Sequence, residues 1–266
     1  MRALAVIAVA VITMNTARSQ TPVPVYAAGS LRGALVEVAK EFEASQPGAK
    51  INLVTGASGL LRDRIRTGEP AQVFASANME HPQSLRTAGG WGEVRAFARN
   101  ALCALAPARL GLKPETLVAA LLDPKIKVGT STPKADPSGD YAFEMFARIG
   151  RQPGVPAGAQ AALEAKALQL TGGPSSPPPP PGRNVYGALV AKGDADVFIT
   201  YCTGSVVAIA EQAGLVSIDI PAAINVTADY GMSVRQGASP AAQAFADYLL
   251  SPAGQAVLAR HGFKQP

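Results

Sequence analysis

A chain of 266 residues that is 48% hydrophobic and only 16% charged can build a substantial core, which excludes an intrinsically disordered protein. Its formal charge of +5 is carried by Lys and Arg scattered along the sequence and not clustered, which argues against a nucleic-acid partner. The length suits two lobes better than one.

In chain order, Met1-Arg2 is a short basic start, Ala3 to Ile12 an unbroken apolar run and Ala17-Arg18-Ser19 a small-x-small site, which together predict a signal peptide over residues 1–19, cut after Ser19. The run is too short to span a bilayer, and no Cys near the cut offers a lipid anchor, so a free soluble protein in the periplasm is expected. Val25 to Ala28 then reads as a buried strand and Gly29 as a turn. Ser30 reads as the N-cap of a helix whose apolar face is Leu31, Leu35, Val38, Ala39 and Phe42. A helix start offers unpaired N–H groups and about half a positive charge, so such a turn is an anion seat as well as a cap.

The construction recurs. Ile51 to Val54 reads as a strand running into Thr55-Gly56-Ala57-Ser58-Gly59 and a helix with Leu61 and Ile65, closed by Gly68. Val73 to Ala77 is a third strand, followed by a helix from about Pro82 and a Gly89-Gly90 break before Trp91. Ala101 to Ala106 is a further strand ended by Pro107, and there the first lobe, residues 20–105, is expected to cross into a second, 106–224. The second lobe reads as a helix over 117–122, a strand over 126–128 and a long polar turn whose Pro137-Ser138-Gly139 precedes a helix with Ala142, Phe143, Phe146 and Ile149. A helix over 157–168 follows, then a Gly/Pro/Ser tract in which Pro177 to Pro181 favours an extended polyproline spacer. Asn184-Val185-Tyr186-Gly187 opens another helix, and Val197 to Tyr201 is a strand leading into Cys202-Thr203-Gly204. Leu215 to Ile220 is a strand ending at Pro221. The chain then returns through residues 225–266, with a strand over 232–234 and helices over 240–250 and 252–261. The strand and helix alternation implies parallel sheets covered by helices, and two crossovers imply a cleft with a hinge. Cys103 and Cys202 either pair in an oxidising compartment or stay as two buried thiols.

Catalytic groups are scarce. The chain has two His, His81 at a helix start and His261 at a helix end, and neither neighbours a candidate nucleophile. Gly56-Ala57-Ser58-Gly59-Leu60 lacks the final Gly of a hydrolase elbow, and no residues have metal-ligand spacing. Asp136, Asp140, Asp194 and Asp196 read as ordinary loop or first-turn carboxylates.

Tyr26-Ala27-Ala28-Gly29-Ser30-Leu31, Gly56-Ala57-Ser58-Gly59-Leu60, Gly68-Glu69-Pro70-Ala71-Gln72-Val73-Phe74-Ala75-Ser76-Ala77, Pro137-Ser138-Gly139, Asn184-Val185-Tyr186-Gly187-Ala188-Leu189 and Val197-Phe198-Ile199-Thr200-Tyr201 together resemble the periplasmic molybdate-binding proteins of ABC transporters. The resemblance implies an α/β periplasmic-binding-protein fold of type II, a Venus flytrap of two α/β lobes joined by a two-segment hinge. It implies a tetrahedral oxyanion, molybdate or tungstate, as ligand, with no cofactor and no directly bound metal. By motif matching, Ser30 and Ser58 donate through hydroxyl and backbone N–H, Ser138 and Val185 through backbone N–H, and Tyr201 through its hydroxyl. It further implies a monomer that delivers the anion to a permease and ATPase complex and catalyses nothing. The sequence departs from the family pattern at Ala57-Ser58-Gly59, where a run of serines is thinned, at Ser138 in place of alanine, and at Cys202-Thr203 after the tyrosine. A site of donors without a carboxylate disfavours a protonated oxyanion such as hydrogen phosphate. The rival readings are a binding protein for sulfate, a metal chelate or a small organic acid, and an exported hydrolase using Ser30 or Ser58, which lacks a base.

Overall fold

The computed structural model describes residues 21–179 and 182–266, so the expected signal peptide and two prolines of the polyproline tract, Pro180 and Pro181, lie outside the described residues. β1 (Val23–Ala28) pairs in parallel with β2 (Ile51–Gly56) on one side and β3 (Val73–Ser76) on the other. β1 and β3 are covered on both faces, and so their sequences are apolar runs without alternation. α1 (Arg32–Ser45), α2 (Ser58–Arg66) and α3 (Glu80–Ala88) follow these strands. α1 buries Ala34, Leu35, Val38 and Phe42, which helical spacing puts on one face.

The chain next enters β4 (Arg95–Pro107) and builds the second lobe from α4 (Pro114–Leu122), β5 (Val128–Ser131), α5 (Pro137–Gly150), α6 (Ala159–Lys166), β6 (Leu168–Thr171), α7 (Val185–Lys192), β7 (Val197–Tyr201), α8 (Cys202–Glu211) and β8 (Leu215–Asp219). It closes with β9 (Thr227–Val234), α9 (Pro240–Leu250) and α10 (Pro252–Arg260). The strand order is β2-β1-β3-β9-β4-β7-β5-β6, with β8 also on β4. β4 serves both lobes: Arg95 to Ala101 pairs with β9, and Leu102 to Pro107 pairs with β7 and β8. β4 changes partners between Ala101 and Leu102, and the chain runs from β8 to β9 through residues 220–226.

The sheets are not wholly parallel as expected. β9 runs antiparallel to β3 and β4, and β4 antiparallel to β7 and β8. A parallel neighbour needs a helical crossover, and β4 and β9 are the strands that carry the chain directly from one lobe to the other. Cys103 on β4 is disulfide-bonded to Cys202 at the start of α8, which resolves the two alternatives for these residues.

His81, the second residue of α3, is buried, and its Nδ1 lies 3.0 Å from a guanidinium nitrogen of Arg62. That ring nitrogen must accept, so the imidazole is neutral. Burial, and then the Arg62 cation, pull its pKa down to about 4. The unfolded chain binds a proton at higher pH than the folded one does, so stability should fall as pH drops from about 6.5 towards 4. Melting curves at both ends of that window should show a smaller acid loss for His81→Gln than for the wild type; equal losses would mean that His81 is not the group responsible.

Candidate functional site

On the first lobe, β1 ends at Ala28 and a single 3-10 turn, Gly29–Leu31, leads into α1. Ser30 is therefore not the N-cap expected for it: Leu31 holds that position, and no side chain caps the helix. The tighter turn swings the Ser30 hydroxyl towards Tyr230, whose hydroxyl lies 2.9 Å away. Ser58 is the first residue of α2 and is buried. Its Oγ accepts the Ala77 N–H at 3.1 Å, which leaves the hydroxyl proton available to donate.

On the second lobe, Ser138 is the second residue of α5, and the N-cap is Asp136. Asp136 Oδ1 accepts the Ser138 N–H at 3.1 Å, so the backbone donor expected of Ser138 is already engaged. Ser138 instead presents a fully buried hydroxyl with no partner among the described residues. Val185 opens α7 behind its cap Asn184, whose side chain takes the N–H of Gly187 at 3.0 Å and not that of Val185. Tyr201 ends β7 with 2% of its surface exposed, and its hydroxyl also has no partner among the described residues.

Contacts join these residues across the lobes. The Tyr230 ring, which holds Ser30, lies 5.6 Å from the Tyr201 ring, and Tyr201 lies 6.4 Å from Tyr141. The Tyr141 hydroxyl donates to Ala77 O at 3.4 Å, beside Ser58, and Tyr141 is one turn along α5 from Ser138. The neighbour of Val185, Tyr186, packs its ring 5.1 Å from Phe198 of β7, in a core cluster separate from that of Tyr201. Asn100, next to the partner switch in β4, donates to Thr203 Oγ1 at 2.8 Å. The lobes also meet directly: the Gly59 N–H donates to Ala135 O at 2.8 Å.

Tyr230, Tyr141 and Asn100 were not singled out in the sequence. Tyr230 lies in the part of β9 that precedes Met232, where the strand was expected to begin, and no local signal links it to Ser30. Burial pushes the Tyr201 and Tyr230 hydroxyls well up, so both stay protonated and neutral. Asp136 was read as an ordinary loop or first-turn carboxylate; it is the N-cap of its helix and is half-buried. Burial, reinforced by Asp140, raises its pKa to about 6 against the hydrogen bond from Ser138.

The arrangement offers hydroxyls and helix starts, and among the described residues neither His hydrogen-bonds to Ser30 or Ser58. Ser30 contacts Tyr230 and Ser58 contacts the Ala77 backbone, while His261 pairs with Glu37 at 2.7 Å and His81 with Arg62. Among the described residues no three His, Cys, Asp or Glu gather as a metal site.

Residues 23–264 match the family described as bacterial extracellular solute-binding protein. An uncharacterized protein of Pasteurella multocida is 33% identical over 79% of this chain and 85% of its own length. A molybdate-binding protein of Mycobacterium bovis is 26% identical over 91% of this chain and 84% of its own length. In fold, the chain is similar to the periplasmic molybdate-binding protein of Azotobacter vinelandii (TM-score 0.72, 18% identity, 92% of this chain and 99% of that one). It is similar to the same degree to the sulfate-binding protein SubI of Mycobacterium tuberculosis (TM-score 0.73, 17% identity, 92% and 87%). With a matched span that covers both lobes and the hinge strands between them, the chain belongs to the bacterial extracellular solute-binding proteins and has their type II fold.

Proposed function

We propose that this protein is the periplasmic binding component of an ABC importer and captures a tetrahedral oxyanion, molybdate or tungstate, between its lobes. Ser30, Ser58, Ser138, Val185 and Tyr201 hold the anion, with Tyr230 orienting Ser30. The observation that carries this reading is that, among the described residues, Ser138 at the start of α5 and Tyr201 at the end of β7 present fully buried hydroxyls without partners. An unmatched buried donor costs about 1–3 kcal/mol, so such donors suit a ligand that only accepts, which a fully ionised oxyanion does. Helix starts add partial positive charge without a formal cation. The curated relative named for molybdate supports molybdate over sulfate as the anion. The protein works as a monomer with a permease and ATPase, without a resident cofactor and without nucleic acid.

Thermal unfolding tests the ligand. A solute that binds only the folded state adds RT ln(1 + [L]/Kd), about 4 kcal/mol at a thousandfold excess, so molybdate and tungstate should raise the melting temperature by several degrees or more. Sulfate should do much less, and an equal shift would overturn the molybdate assignment. Each of Ser30→Ala, Ser58→Ala and Tyr201→Phe removes one hydrogen bond to a charged ligand and should weaken binding by about 1.5–3 kcal/mol while the fold persists. Wild-type affinity in all three would place the site elsewhere.

A further inference from the structure

The start of α5 carries a carboxylate where the proposed anion would draw on the helix dipole. Asp136 Oδ1 accepts the Ser138 N–H at 3.1 Å, and the Asp136 carbonyl takes the Gly139 N–H at 2.8 Å. The half-buried side chain is closely approached on one side, since a Cβ added at Gly172 would fall 2.6 Å from Asp136 Oδ2, and Ser131 at the end of β5 acts on the same carboxyl. From its own helix Asp140 faces it with like charge, while Tyr186 of α7 and Tyr201 of β7 face it with neutral hydroxyls. Among the described residues no cation offsets it. The Ser138 hydroxyl, two residues on, is fully buried and unpartnered.

A carboxylate and a dianion at one helix start repel, whereas a protonated carboxyl becomes a donor. We propose that Asp136 couples ligand capture to a proton: the closed site holds its oxyanion together with one proton on or against this carboxyl. A dianion such as molybdate recruits that proton from solution, so one dianion, one Asp136 carboxylate and one proton form the complex. A hydrogen-phosphate-like anion carries the proton in with it. Asp136 thereby sets selectivity, because the site discriminates oxyanions by how readily that shared proton is supplied. This rests on the oxyanion reading of the cleft. It also removes the premise that the site lacks a carboxylate, on which hydrogen phosphate was disfavoured.

Isothermal titration of the mature protein with molybdate, in buffers of different ionisation enthalpy near pH 8, tests the coupling. The expected result is uptake of about one proton per anion and an affinity that falls roughly tenfold per pH unit above about 6.5. Asn caps a helix as well as Asp does, so Asp136→Asn should fold, lose the pH dependence and bind molybdate roughly tenfold or more tighter than the wild type near pH 8. No proton uptake by the wild type, with pH-independent affinity, would overturn the role of Asp136 and leave the oxyanion reading standing. If none of molybdate, tungstate, sulfate or phosphate binds between about pH 5 and 8, the oxyanion reading itself falls and takes this proposal with it. Should Asp136→Asn not fold, the proton count of the wild type decides alone.

Discussion

Replacing both Cys103 and Cys202 by Ser should lower the unfolding free energy by about 4–5 kcal/mol, the loss expected when a cross-link closing a loop of about 100 residues is removed. The bond joins residues 99 apart in sequence, and the loop it closes contains almost the whole second lobe, from α4 through β7. Without it the unfolded chain regains the freedom of that loop, while the folded state also loses a buried sulfur contact between β4 and α8. At roughly 2–4 °C per kcal/mol for a domain of this size, the melting temperature should drop by about 10 °C or more. Denaturant unfolding of the oxidised, reduced and double-Ser forms measures the effect. A double-Ser form that unfolds within about 1 kcal/mol of the oxidised protein would show that the second lobe is already ordered in the unfolded ensemble. Tyr201 immediately precedes Cys202, so the reduced protein should also bind its ligand more weakly than the oxidised one.

How much of this was visible in the sequence follows the range of the interactions involved. Ser58 and Val185 were placed correctly at the starts of α2 and α7, because Gly/Ser turns and Asn caps act within three or four residues. Ser30 misled as a cap for the opposite reason: its hydroxyl bonds a tyrosine 200 residues away, which no local pattern signals. The first half of β4 holds Arg95, Arg99 and Asn100, which look like loop residues until β9 pairs with them. β5 was set two residues early, since Gly129-Thr130-Ser131 is polar in sequence yet buried, with Ser131 bonded to Thr171 at 3.0 Å. β6 is a short edge strand with two exposed residues, and the sequence reading passed over it, with Leu168 taken as the end of the preceding helix and Thr171 as the start of the Gly/Pro/Ser tract. Asp136 read as an ordinary loop or first-turn carboxylate, and the close approach of Gly172 to its carboxyl comes from far along the chain.

Gly59→Ala should leave the ligand-free protein folded and yet bind molybdate at least a hundredfold more weakly. Gly59 is the second residue of α2, and its N–H donates to Ala135 O of the opposite lobe at 2.8 Å. A Cβ there would fall 2.3 Å from Lys134 O and 2.7 Å from Ala135 O, and backbone carbonyls cannot rotate aside as a flexible side chain would. The lobes must therefore stand apart wherever residue 59 has a side chain. Neither lobe's core depends on that contact, and Ala is a better helix former than Gly by about 1 kcal/mol, so the variant should melt no lower than the wild type. An open cleft keeps Ser30 and Ser58 on the anion but withdraws the Ser138 and Tyr201 hydroxyls of the second lobe. At about 1.5–3 kcal/mol for each bond to a charged ligand, their loss amounts to roughly 3–6 kcal/mol, a hundredfold or more in Kd. Small-angle scattering supplies the independent readout: saturating molybdate should shrink the radius of gyration of the wild type by hinge closure and leave that of Gly59→Ala unchanged. A variant that binds as tightly as the wild type and contracts with ligand would show that the Gly59 and Ala135 contact is no part of the closed, ligand-holding state.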